Sequence, residues 1–247
     1  MAELPKSLEE AIAQAKEATQ AALNDGRTRL QVELIFPEIA LQAQSIARQF
    51  APIFEQYGSG LKVIFPDAGA AALARRDWGE VPFKVSDLGS SRSPVERKIE
   101  PEDEIFLVVS PSSVEVPQVE KLFNLAGNRP CILLNPQLED LKVVGIGYAA
   151  RQTRERLLST IESCYYLQPL DGAALRHCYP SAWEIWLETE GDYQLIAQQP
   201  QKPVGDALDL VLAKATGSDD TEEAAPLPAK KPGFLANLQR FLNALSR

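Results

Sequence analysis

Small polar residues close several apolar runs in this chain, and that is where chemistry could sit. Asp67 and Gly69 follow Leu61 to Phe65, and Ser110 and Ser112 follow Ile105 to Val109. Asn135 follows Cys131 to Leu134, while Gly145 and Gly147 stand at the end of Leu141 to Ile146. If the runs are parallel strands, their carboxyl ends share one edge, and ligands of open parallel sheets bind in the crevice there. Backbone amides at the helix starts that follow could hold an anion. The same residues also cap helices and end strands in proteins with no ligand, since Ser, Asp and Asn accept from nearby backbone amides. Both readings stay open on sequence.

Other residues with chemical potential are thinly supported by spacing. Gly145-Ile146-Gly147 looks like the start of a dinucleotide loop, but Ala150 stands at the third glycine position and no acidic residue follows a second strand as that motif requires. A Gly-x-x-x-x-Gly-Lys phosphate loop is absent. The single histidine, His177, could join Cys164 and Cys178 as metal ligands, yet no Cys-x-x-Cys or His-x-x-x-His pair accompanies them, and a structural histidine is the expectation. Ser90, Ser91 and Ser93 lack the nucleophile-elbow pattern. Arg151, Arg154 and Arg156 suit a solvated helix face, or could assist an anion in the crevice. No catalytic residue, metal or cofactor is assigned.

The elements that would position these groups follow from periodicity. The stretch from Glu104 to Gly147 carries the pattern strand, crossover helix, strand: Ile105 to Val109, then Val116, Val119, Leu122 and Phe123 at helical spacing, then Cys131 to Leu134. Runs apolar at every position imply strands buried on both faces, the middle of a parallel sheet. Upstream, Ser7-Leu8-Glu9-Glu10 is a capping box for a helix ending before Gly26. Arg29 to Phe36 reads as a strand and Pro37 to about Tyr57 as a helix. Leu61 to Phe65 is a further strand, with an alanine-rich helix to about Arg76. Asp77 to Glu102 reads as a surface loop or flap, with an edge strand at Val81 to Val85. A helix is expected from about Ala149 to Cys164, a hairpin of Trp183 to Leu187 with Tyr193 to Ala197 and one solvated face, and a helix from Asp206 to Ala215. The fold class is α/β: a mainly parallel sheet flanked by helices in a three-layer, Rossmann-like arrangement, with an antiparallel hairpin at one edge.

Residues 1–215 thus form the globular domain, 216–229 an acidic Ala/Pro-rich linker with too little apolar matter for a core, and 230–247 a basic amphipathic helix. In the tail, Phe234, Leu235, Leu238, Phe241, Leu242 and Leu245 form one helical stripe, with Lys230 and Lys231 before it. The stripe can fold back on the domain, enter a partner groove, or lie on an anionic lipid surface, the last two being preferred because the linker imposes little geometry. The net charge of −9, which becomes −13 for residues 1–229 once the basic tail is set apart, argues against nucleic acid as partner. No run reaches the length of a membrane span, and no signal or transit pattern opens the chain. Three scattered cysteines suit a reducing compartment.

The segments LPKSLEEAIAQAKEATQAALNDGRTRLQVEL, FPDAGAAALA, LVVSPSSVEV, ILLNPQLED, VGIG and YYLQPL…YPSAWEIW together resemble the domain-of-unknown-function family nineteen-ninety-five, over about Leu4 to Gln199. That family is found in cyanobacteria and plastids and has no established catalytic residues. Its plant members include a stromal factor for photosystem II accumulation, and a plastid adenylate kinase carries such a domain beside its kinase domain. The resemblance implies a non-catalytic accessory protein aiding photosystem II assembly or maintenance, cytoplasmic and peripheral to the thylakoid membrane. Its partners would be photosystem II assembly intermediates or other thylakoid membrane proteins. The rival expectation is an enzyme or sensor binding a small anion or nucleotide in the strand-end crevice.

Overall fold

A computed structural model describes residues 3–37, 39–90, 93–138 and 156–216. Helix α1 (Leu8–Asn24) starts where Ser7 accepts from the Glu10 amide, and it ends ahead of Gly26, whose φ of 77° suits glycine. Its buried stripe of Leu8, Ala11, Ile12, Ala15, Ala18 and Ala22 lies on the sheet. Small side chains at most of these positions let the helix approach closely. Then follow β1 (Arg29–Leu34), α2 (Ala43–Phe50), β2 (Leu61–Phe65), α3 (Ala68–Trp78), β3 (Lys84–Asp87), β4 (Ile105–Val109), α4 (Val116–Ala126) and β5 (Cys131–Leu134). The antiparallel half comprises β6 (Glu162–Leu170), β7 (Ala173–Cys178), β8 (Trp183–Thr189) and β9 (Asp192–Gln199), and α5 (Asp206–Thr216) comes last.

All nine strands form one sheet in the order β3-β2-β4-β5-β1-β6-β7-β8-β9. The first six are mutually parallel, and β6 to β9 form an antiparallel meander at one side. Strands β2, β4 and β5 are buried at every residue, as continuous apolar runs require. Helices α1, α2 and α3 pack on one face with Leu30, Val63 and Leu107, while α4 packs on the other with Phe106, Val108 and Leu133. The fold class is therefore the expected one: α/β, mostly parallel, with an antiparallel edge region. Among the described residues no helix is long and apolar enough to cross a membrane.

Several local expectations are corrected. The second helix stops at Phe50, and Ala51–Gly60 continues as a kinked 3-10 segment, because Pro52 has no amide to donate into the α-helical ladder. Cys164 lies in a strand, not at a helix end: Leu158–Thr160 is a single 3-10 turn, and β6 begins at Glu162. The hairpin β8–β9 exists, but neither face of the first half of β8 is solvated, since Trp183, Glu184, Ile185 and Trp186 are all buried. Leu208, Val211 and Leu212 of α5 cover one face. Strands β6 and β7 form a further hairpin beyond those expected, with Asp171-Gly172, a strong hairpin signal, between two β-prone runs. The expected strand at Leu141 to Ile146, the helix start after Gly147, the linker and the tail lie outside the described residues.

The segment read as a flap is tied down. Lys62 interrupts the apolar β2 run, and its side chain is 4% exposed. Its Nζ lies 2.6 Å from Oδ2 of fully buried Asp103 and also donates to the Lys98 carbonyl. Lys84 on the neighbouring strand reaches Asp103 Oδ1 at 2.9 Å, and Lys98 pairs with Asp87. Arg129 closes the far end, donating to the Glu100, Asp103, Leu125 and Ala126 carbonyls with its guanidinium over Phe106. Burial alone would raise the Asp103 pKa, but Lys62, the Glu100 amide and Lys84 together hold it below the usual 3.8. Asp103→Ala leaves the buried Lys62 ammonium without its main partner and should cost about 3–5 kcal/mol in urea unfolding, whereas Lys62→Met with Asp103→Leu should recover most of that.

Candidate functional site

The strand order places a topological divergence between β2 and β4. From β1 the chain runs outward to β2 and β3 with α2 and α3 on one face; from β4 it runs inward to β5 with α4 on the other. Adjacent strands whose connections part in this way open a crevice beyond their carboxyl ends. Asp67 follows β2, Ser110 and Ser112 follow β4, and Asn135 follows β5, so the fold carries these residues to one sheet edge on three adjoining strands. Gly69 lies in the first turn of α3 on the same edge. Gly145 and Gly147 lie outside the described residues.

The side chains of Asp67, Ser112 and Asn135 at this edge already bond the chain itself. Asp67 caps α3, its Oδ1 accepting from the Gly69 amide at 2.7 Å and the Ala70 amide at 3.0 Å. Ser112 forms a capping box with Glu115: Ser112 Oγ accepts from the Val114 amide at 3.2 Å, and the Glu115 carboxylate takes the Ser112 amide at 2.8 Å and hydroxyl at 2.6 Å. Both helical starts flanking the divergence therefore hold a carboxylate of the chain itself, in the position an anionic ligand would take. Gly69 matters here as the amide that Asp67 caps.

Ser110 and Asn135 are non-glycine residues at φ of 46° and 49°, a left-handed conformation that Asn tolerates best. This bend brings Asn135 Oδ1 to the Leu34 amide at 2.8 Å, while the Asn135 amide donates to the Val32 carbonyl at 2.7 Å. The Ser110 amide donates to the Leu134 carbonyl and the Gln137 amide to the Pro111 carbonyl, each at 2.7 Å. These bonds stitch the ends of β4, β5 and β1 together. Their work is to satisfy buried backbone groups at the sheet edge.

The suggested metal set does not converge. His177 pairs in register with Tyr166, and its ring stacks on Trp183 at 4.8 Å between centroids, 13° from parallel. Its neighbour along β7, Cys178, turns to the opposite face, and buried Cys164 contacts Thr19 Oγ1 and the Gln31 carbonyl. Burial pushes the Cys164 thiol up to about 12, which makes it unreactive. Among the described residues no cluster of His, Cys, Asp or Glu could hold a metal ion. Arg156 is in a bidentate pair with Glu120, at 2.5 and 2.9 Å, not in the crevice.

Sequence reading missed the polar network beneath the N-terminus. Arg176 and Glu184 face each other across β7 and β8, both more than nine-tenths buried, with Nη1 to Oε2 at 3.4 Å. Trp186 Nε1 also donates to Glu184, and Arg176 to the Glu3 carbonyl. A groove of about 270 Å3 along the start of α1, lined by Glu3, Lys6, Glu10, Gln14 and Glu17, lies on this side of the molecule, and no strand-end residue lines it. In the sequence Glu184 is legible only as part of a hairpin with one solvated face, and Arg176 lies on a strand outside that hairpin.

Site and fold define an α/β protein with a mixed nine-stranded sheet in which Asp67, Ser112 and Asn135 accept from backbone amides at the strand ends. The chain belongs to the family described as Domain of unknown function (DUF1995), whose pattern matches residues 5–210. No solved structure matches it.

Asn135→Ala removes the acceptor of the buried Leu34 amide and should cost about 1–3 kcal/mol, with faster hydrogen exchange at Leu34 as its local signature. His177 should make stability depend on pH. Burial, only partly offset by its bond to the Ser163 carbonyl, holds its pKa below the usual 6.5. The unfolded chain therefore takes up the proton first, and stability should fall as pH drops below 6.5. His177→Phe, which keeps the stack on Trp183, should flatten that part of a stability-against-pH curve.

Proposed function

We propose that the protein is a non-catalytic accessory protein of photosynthetic membranes. It acts by binding photosystem II assembly intermediates or other thylakoid membrane proteins from the cytoplasmic side, as a peripheral protein. The observation that supports the non-catalytic part is that Asp67 and Glu115 already accept from backbone amides at the two helical starts beside the strand ends, where a Rossmann-like sheet would take a phosphate. Support for the photosynthetic setting is the resemblance of its segments to plastid and cyanobacterial relatives. Support for the membrane surface is the sequence of residues 230–247, where Lys230, Lys231, Arg240 and Arg247 accompany the apolar stripe from Phe234 to Leu245. An isolated helix of that length is marginal in water and folds when its apolar face finds a surface.

The experiment is flotation with anionic liposomes beside capture from solubilised thylakoid membranes, comparing the full chain with one ending at Ala229. Each basic residue near an anionic surface contributes about 1 kcal/mol, so truncation should lower lipid binding at least tenfold, and added salt should weaken what the full chain retains. Equal flotation of the two chains would remove the lipid role, and equal capture of photosystem components would remove the tail's part in partner binding. A rise in melting temperature with nucleotides or phosphorylated metabolites, larger in Asp67→Ser than in the natural chain because the competing carboxylate is gone, would instead establish the rival reading of a small-anion site.

A further inference from the structure

The two edges of the sheet are built differently. Edge strand β3 has only four residues, and Arg75 covers its outer side by donating from Nε and Nη2 to the Val85 carbonyl at 3.2 and 2.8 Å. Two of its four side chains, Lys84 and Asp87, are held in ion pairs. Shortness, charge and a covering side chain are the usual means of keeping an edge from pairing with another chain. The opposite edge, β9, has eight residues with the sequence DYQLIAQQ. It contains no proline, no basic residue and one carboxylate, Asp192 at its start. Among the described residues no strand or helix is paired along its outer side.

We infer that β9 is a self-pairing edge, by which two copies of this chain join antiparallel about a two-fold axis into one continuous sheet. Charge favours a second copy at this place: each chain carries −9 overall, yet the strand that would meet its equal is neutral apart from Asp192. The register is set by a bulge. Across β8, Ala197 faces Ile185 and Leu195 faces Trp186, so Ile196 is the extra residue, and side-chain direction reverses on either side of it. Directly opposed residues in a two-fold antiparallel pair must share a face. With that reversal, the pairing that keeps faces matched opposes Gln194 to Ala197, Tyr193 to Gln198 and Asp192 to Gln199 of the second copy. The two bulges then meet at the axis beside Leu195, which is 42% exposed in the single chain. This pairing opposes no like charges, and the two-fold normal to the sheet puts both copies of α5 on the same face.

The test is sedimentation of the full chain at micromolar concentrations. The expected result is a dimer for the natural sequence and a monomer for Leu195→Lys, which sets two ammonium groups at the axis. Leu125→Lys, at an exposed position of α4, should remain dimeric. A monomeric natural chain overturns the proposal, and so does a dimer that survives Leu195→Lys with its fold intact by circular dichroism. If Leu195→Lys does not fold, hydrogen exchange of the natural chain decides. Amides of residues 193–199 should gain protection as concentration rises, and protection independent of concentration would overturn the pairing.

Discussion

Strand β1 is the seam on which the molecule depends. It hydrogen-bonds in parallel to β5 on one side and to β6 on the other, and so joins the parallel half to the antiparallel meander. Only its alternate residues Leu30, Val32 and Leu34 are fully buried, because the seam is covered more heavily on the α1 side. The pairing to β6 shifts between Gln31 and Val32, where Cys164 is the additional residue of the partner strand. That irregularity turns both Cys164 and Tyr165 toward α1, and Tyr165 bonds Gln14 through its hydroxyl. The first helix is thereby locked over the junction, and Thr19 of α1 touches Cys164 directly. A covering helix at the seam keeps two differently organised half-sheets in one core.

Stability and chemistry compete for the same groups at the carboxyl edge. A parallel sheet brings backbone amides and helix starts together there, and each must be satisfied by something. In a phosphate-binding protein the ligand supplies part of that satisfaction. Here Asp67, Glu115 and Asn135 supply it from within the chain. The left-handed backbone at Ser110 and Asn135 is the local cost, about 1 kcal/mol or more at each residue, and the hydrogen bonds across β4, β5 and β1 offset it.

What the sequence by itself determined is the kind of layer each segment belongs to. Ile105 to Val109 and Cys131 to Leu134 had to be strands covered on both faces, because every side chain in them is apolar, and they are buried throughout. Ser7 with Glu10 had to begin a helix, since a capping box depends only on residues three apart, and Ser112 or Ser113 was legible as the cap of a later one. Asp67, Ser112 and Asn135 were legible as strand-end residues, and the shared edge followed once the strands were parallel. Tertiary structure alone decided the rest, because it set partners far apart in sequence. Lys62 is a lone charge inside the apolar run from Leu61 to Phe65 until Asp103, forty-one positions on, meets it. Glu184 reads as a solvent-facing position until Arg176 and Trp186 enclose it. Asn135 reads as a turn residue or a ligand group until Leu34, a hundred and one positions away, brings it an amide to accept from. Hydrophobic periodicity reports on burial averaged over a segment, whereas the pairing of a buried charge or amide depends on which distant segment lands beside it.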